Sequence, residues 1–83
     1  MRILLVEDDF DIRELIEDYF TAKSEGNIIV DTACDGQEGL EKAYENTYDL
    51  LLLDVMLPEM SGFEICKEIR SESEVPIMFI TAR

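Results

Sequence analysis

Cations are scarce in this chain: seven Lys and Arg stand against 20 Asp and Glu in 83 residues, a formal net charge of −13. Such a surface repels phosphate backbones and anionic lipid headgroups, so this segment by itself is expected to bind neither nucleic acid nor a membrane. Cysteine is sparse as well. Cys34 and Cys66 fit no CxxC or zinc spacing and are too few for a disulfide framework, which makes both expected core thiols of a cytosolic protein. No apolar run approaches the length of a membrane helix, and Met1 leads straight into a strand without a basic and apolar leader, so a soluble, cytoplasmic chain is expected. Four glycines and two prolines leave no linker, low-complexity segment or short repeat.

What the chain does have is apolar material, 47% of its residues, enough for one small domain with a single core and no structural metal. Its clearest pieces are Ile3-Leu4-Leu5-Val6, ending on Glu7-Asp8-Asp9, and Leu50-Leu51-Leu52-Leu53, ending on Asp54. Short continuous apolar runs suit strands of a parallel sheet covered on both faces. Open α/β sheets bind ligands at the carboxyl ends of their strands, so two strands ending in carboxylates define an acidic site for a hard cation and a phosphoryl group.

Between the strands lie helical patterns. Ile12, Leu15, Ile16, Tyr19 and Phe20 recur at the spacing of one helical face, with Asp11 and Glu14 resembling a capping box ahead of them. A more alternating strand over about 28–33 reads as an edge, and a helix over roughly 37–46 turns Leu40, Ala43 and Tyr44 inward. After the Pro58 to Gly62 loop, Phe63, Ile65, Cys66 and Ile69 form a third helical stripe, with Lys67 and Arg70 complementing the dipole of its last turns. Pro76 opens a fourth apolar strand, Ile77 to Ile80, that ends on Thr81. The order β-α-β-α-β-α-β predicts a parallel sheet with right-handed crossovers.

Taken together, Leu5-Val6-Glu7-Asp8-Asp9, Asp49 to Asp54 with Met56-Leu57-Pro58 and Gly62, and Pro76 to Arg83 resemble a response-regulator receiver domain of two-component signalling. The resemblance spans the chain and implies a flavodoxin-like, doubly wound α/β fold with strand order 2-1-3-4. It also implies the transcription-factor branch, whose members carry a DNA-binding domain after the receiver. Receivers continue through a fourth helix, a fifth strand and a fifth helix, which have no counterpart in residues 1–83. The family's lysine and switch aromatic on the fifth strand are therefore absent here, and the expected domain is a partial receiver.

By resemblance Asp54 is the phosphoacceptor, taking its phosphoryl group from a phosphohistidine on a sensor histidine kinase. A carboxylate is already ionised near neutral pH and so is a usable nucleophile, but an anionic phosphoryl group demands a divalent cation to offset charge. Mg²⁺ suits an all-oxygen site that keeps several waters. The family pattern implies Asp8 as its direct ligand, Glu7 acting through water, and the backbone carbonyl of Met56 beside Asp54. Thr81 would donate its hydroxyl to the phosphoryl oxygens as the switch residue.

Asp9 reads as a helix N-terminal acid or cap, and Gly62 as a backbone need, either φ > 0 or a close approach. Two other classes remain open. An aspartate-nucleophile phosphatase would place a second Asp two residues after the nucleophile, where this chain has Met56; an interaction module would leave Asp54 unphosphorylated. Without a fifth strand, Ile77 to Thr81 becomes an apolar edge, and self-association through it is expected.

Overall fold

The computed structural model describes residues 1–81, so Ala82 and Arg83 at the end of the fourth-strand motif lie outside the described residues. Its elements run β1 (Arg2–Val6), α1 (Phe10–Ser24), β2 (Ile29–Ala33), α2 (Gly36–Glu45), β3 (Leu50–Asp54), α3 (Gly62–Arg70) and β4 (Ile77–Ile80). All strand pairs are parallel, in the order β2-β1-β3-β4. Val6 aligns with Leu53 across the central pair, so the residues that follow them, Glu7 and Asp54, lie side by side at the carboxyl ends of β1 and β3.

Side chains of a strand alternate between faces, and the two central strands divide the core accordingly. Leu4, Val6, Leu51 and Leu53 face α2 and α3, where they pack with Leu40, Ile65 and Ile69. Ile3, Leu5 and Leu52 face the other way, toward Ile16 and Phe20 of α1. Among the described residues the first cluster holds ten buried members and the second three. A fully buried large aliphatic side chain contributes about 1.5–3 kcal/mol, so the face under α2 and α3 carries most of the hydrophobic stabilisation.

The face under α1 is thinly covered. Ile12, Ile16 and Phe20 are half-buried, whereas Leu15 and Tyr19 of the same stripe are 70% and 57% exposed. They line an apolar groove with Leu52, Met78 and Ile80, because α1 sits over β1 and β2 and nothing among the described residues covers the β4 side. Tyr44 and Phe63, also expected inward, are exposed. Phe63 leans edge-on against Phe79 at 4.8 Å, and Tyr48, from the loop before β3, takes the buried place that Tyr44 does not.

Each helix is started by a polar side chain. Asp9, and not Asp11, is the N-cap of α1, accepting the Ile12 amide at 3.0 Å. Asp35 and Ser61 do the same for α2 and α3, each satisfying an amide that has no partner within its helix. Cys34 departs from expectation: it is exposed just past β2, and only Cys66 is partly buried. Cys34 lies one residue past Ala33, the buried last residue of β2, and so falls outside the sheet that buries its neighbour.

At the opposite end of the sheet Arg2, Asp31 and Tyr48 tie three segments together. Asp31 accepts from the Tyr48 hydroxyl at 2.7 Å and from the Arg2 guanidinium at 2.7 and 2.9 Å, and Arg2 also lies over the Tyr48 ring. Among the described residues no helix is long and apolar enough to cross a membrane.

Candidate functional site

The register of β1 against β3 brings the acidic residues together. Glu7 continues the ladder, its amide donating to Ala33 O at 3.0 Å, and its side chain is 0% exposed; Asp54 is 1% exposed. Asp8 turns to the rim, where it borders a depression with Val55, Met56, Leu57, Pro58 and Ser61. Each of Glu7, Asp8 and Asp54 offers a carboxylate oxygen within 4.8 Å of the others.

Backbone contacts hold two of these groups in place. Glu7 Oε2 accepts the Asp9 amide at 3.0 Å, and Asp54 Oδ1 accepts the Met56 amide at 3.1 Å. Glu7 Oε1 is buried and accepts no hydrogen bond. An ionised carboxylate buried without a counter-charge costs several kcal/mol, so the fold favours a proton or a cation at this point. Burial pushes the Glu7 carboxyl up to about 7 from its ordinary 4.5, and the Asp54 and Asp8 carboxylates push the same way against the opposing Asp9 amide. Three convergent carboxylates fit a hard divalent cation that is otherwise hydrated.

The Asp54 to Gly62 loop folds back over the end of β3. The Gly62 amide donates to Val55 O at 3.0 Å, and a Cβ at Gly62 would collide with the Asp54 carbonyl oxygen. Since Gly62 is not among the glycines with positive φ, its requirement is close approach, whereas Glu59 in the same loop holds φ 66°. Met56 is exposed, its amide tied to Asp54. Thr81 is exposed at the end of β4, one residue past Ile80, the register partner of Asp54.

Arg13 is a site neighbour that the sequence reading passed over. Its Nη1 donates to Glu7 O at 2.8 Å, and its guanidinium lies over the Phe10 ring. The signal available was spacing alone: a single Arg on the first turns of α1, six residues past Glu7.

A parallel α/β sheet with a buried carboxylate pair at the ends of its central strands, and a third carboxylate at the rim, places an acidic cluster where open α/β sheets bind their ligands. Known proteins agree. Residues 3–83 match the response regulator receiver domain family. The chain is 48% identical over 82 residues to the response regulator ArlR of Staphylococcus saprophyticus and 45% identical to ArlR of Staphylococcus aureus, with 99% of this chain covered in each case. It spans 36% of the length of those relatives.

Among solved structures, the response regulator TrrA of Thermotoga maritima in complex with Mg²⁺-BeF has a TM-score of 0.89 at 37% identity, covering 99% of this chain and 70% of TrrA. TrrA in complex with the histidine kinase ThkA gives 0.86 at 38%, with 98% and 68% covered. The BeF3-activated receiver domain of Klebsiella pneumoniae RstA gives 0.90 at 30%, with 100% and 68% covered. This chain belongs to the response regulator receiver family.

Proposed function

We propose that this chain is the phosphoacceptor module of a two-component response regulator, accepting a phosphoryl group on Asp54 from a phosphohistidine of a sensor histidine kinase. The convergence of Glu7, Asp8 and Asp54 within 4.8 Å carries this reading, supported by the structure of TrrA with its histidine kinase. An Asp54 carboxylate oxygen attacks phosphorus, the phosphorus–nitrogen bond of the donor breaks, and the departing imidazole nitrogen keeps the electron pair and takes a proton. Mg²⁺, when bound, offsets the charge that accumulates as two anions meet.

Within the chain, Asp8 at the rim is the direct metal ligand, Glu7 acts through water, and the Met56 backbone carbonyl completes the protein ligands with Asp54. The Met56 amide donates to Asp54 Oδ1 and so orients the carboxylate that attacks. Thr81 donates its hydroxyl to the phosphoryl oxygens once they are in place. An exposed, apolar Met56 supplies no acid for turnover, in keeping with a phosphorylated switch and not a phosphatase.

In the longer protein this cytoplasmic module regulates transcription through a DNA-binding region outside residues 1–83. The uncovered groove under Leu15, Tyr19 and Met78, next to the β4 edge, supports self-association of the 83-residue chain. Incubation with Mg²⁺ and acetyl phosphate tests the site: one phosphoryl group per chain, absent in Asp54→Asn, is expected. Phosphorylation that persists in that variant contradicts the assignment.

A further inference from the structure

We infer that Arg13 is a positioning residue for the acidic site, clamping Glu7 so that its carboxylate faces Asp8 and Asp54. This rests on the functional reading above and adds a residue to it. Three bonds fix Glu7: its amide donates to Ala33 O at 3.0 Å, its carbonyl accepts from Arg13 Nη1 at 2.8 Å, and its Oε2 accepts the Asp9 amide at 3.0 Å. The first is sheet ladder and the third belongs to the turn into α1. Only the second is donated by a side chain, and it reaches back from the next helix to the residue just past β1.

With backbone N and O both held, the remaining freedom of Glu7 lies in its side chain, whose Oε1 is buried and accepts no hydrogen bond. The guanidinium is itself steadied by the Phe10 ring, 5.5 Å from Cζ to the ring centre, a cation–π contact that reduces the entropy lost in holding a long side chain. α1 buries no residue fully, so core packing alone fixes its first turns weakly, and the clamp supplies a polar tie there.

Two effects of Arg13 on a bound cation oppose one another. Its positive charge repels a divalent ion near the site, whereas its bond to Glu7 orders a carboxylate that holds the ion through water. Mutation separates them. If Arg13 acted by charge alone, Arg13→Met would bind Mg²⁺ more tightly than wild type. As a positioning residue, its loss weakens binding despite the lost repulsion, and Arg13→Lys, which keeps charge and a donor, recovers part of the loss.

The experiment measures Mg²⁺ affinity of the wild-type chain, Arg13→Met and Arg13→Lys by NMR titration, with hydrogen exchange at the Asp9 amide followed without metal. We expect Arg13→Met to bind Mg²⁺ three- to tenfold more weakly and to exchange the Asp9 amide at least fivefold faster, with helix content unchanged by circular dichroism. Equal or tighter Mg²⁺ binding together with unchanged Asp9 exchange overturns the inference. A wild-type chain that does not bind Mg²⁺ overturns the proposed function instead, and Asp9 exchange in the metal-free variants still decides whether the clamp exists.

Discussion

Gly62 lies against Asp54 so closely that a single added carbon at Gly62 would collide with the Asp54 carbonyl oxygen. The chain after β3 must double back within eight residues to start α3, and the Gly62 amide bonds Val55 O as it does so. This packing of backbone on backbone fixes the loop that carries Met56 past the acidic site. Gly62→Ala is expected to cost about 1–3 kcal/mol, as overpacking does where neither partner is a flexible side chain. Gly26→Ala is the control: it meets open space and is limited to the cost of its φ of 89°, about 1 kcal/mol. Urea denaturation of the two variants checks the order.

The site's charge predicts an inverse relation between stability and function. Three carboxylates share one small volume, and Asn at position 54 keeps the shape while removing one charge. Without metal, Asp54→Asn should be more stable than wild type by on the order of 1 kcal/mol, since it relieves repulsion between close like charges. With saturating Mg²⁺ the difference should shrink or reverse. Thermal unfolding with EDTA and with Mg²⁺ measures both.

Glu7 gives the pH dependence a definite sign. Its carboxyl in the fold titrates near 7, above its ordinary 4.5, so the folded state binds the proton more tightly than the unfolded one. Its contribution is therefore fully present below about 4.5 and is lost as pH rises through about 7. A cation must displace that proton, so Mg²⁺ affinity should rise between pH 6 and pH 8. Isothermal titration at the two values checks it, and equal affinities would show that Glu7 is already ionised at pH 6.

Asp31 has the opposite sign. Burial alone would raise its carboxyl, but the Tyr48 hydroxyl and the Arg2 guanidinium outweigh that and hold it below the usual 3.8. Its contribution is present above that value and is lost as pH falls through the lowered one. Tyr48→Phe removes one hydrogen bond to a charged group, worth about 1.5–3 kcal/mol, and should flatten the acid limb of the stability profile. Chemical denaturation between pH 3 and pH 6 reads it.

Self-association should depend on the apolar groove. Met78 and Leu15 are both more than half exposed and both line it, so Met78→Glu or Leu15→Glu should shift the 83-residue chain toward monomer with little loss of stability. Light scattering at micromolar concentration decides; a monomeric wild-type chain would remove the expectation.

Three of the four strands were legible as short apolar runs with a polar stop and β2 as an alternating edge, and Leu50 to Asp54 was found to the residue. The parallel sheet and the meeting of Glu7 with Asp54 follow from the alternation of strands and helices and the two acidic strand ends, whereas the strand order came from the family resemblance. Helix positions were legible too, but not which side of each stripe is covered. Leu15, Tyr19, Tyr44 and Phe63 keep helical spacing yet stand in solvent, since periodicity reports an apolar face and not whether a layer lies over it. Asp9 caps α1 as its place after the first strand suggested, whereas the capping-box reading of Asp11 and Glu14 fails because the helix already begins at Phe10. Arg13 and the pair Asp31–Tyr48 were hidden for a related reason: each makes a polar bond between elements, six residues back in one case and 17 in the other, which leaves no periodic trace.

The central claim is that Asp54 accepts a phosphoryl group at a site that also takes Mg²⁺. Native mass spectrometry of the chain with Mg²⁺ and acetyl phosphate tests it most directly, reading oligomeric state and covalent mass together. One added phosphoryl group per chain, dependent on Mg²⁺ and lost in Asp54→Asn, is the predicted result. An unmodified mass at saturating Mg²⁺ and phosphodonor would contradict it and leave the chain an interaction module with an acidic pocket.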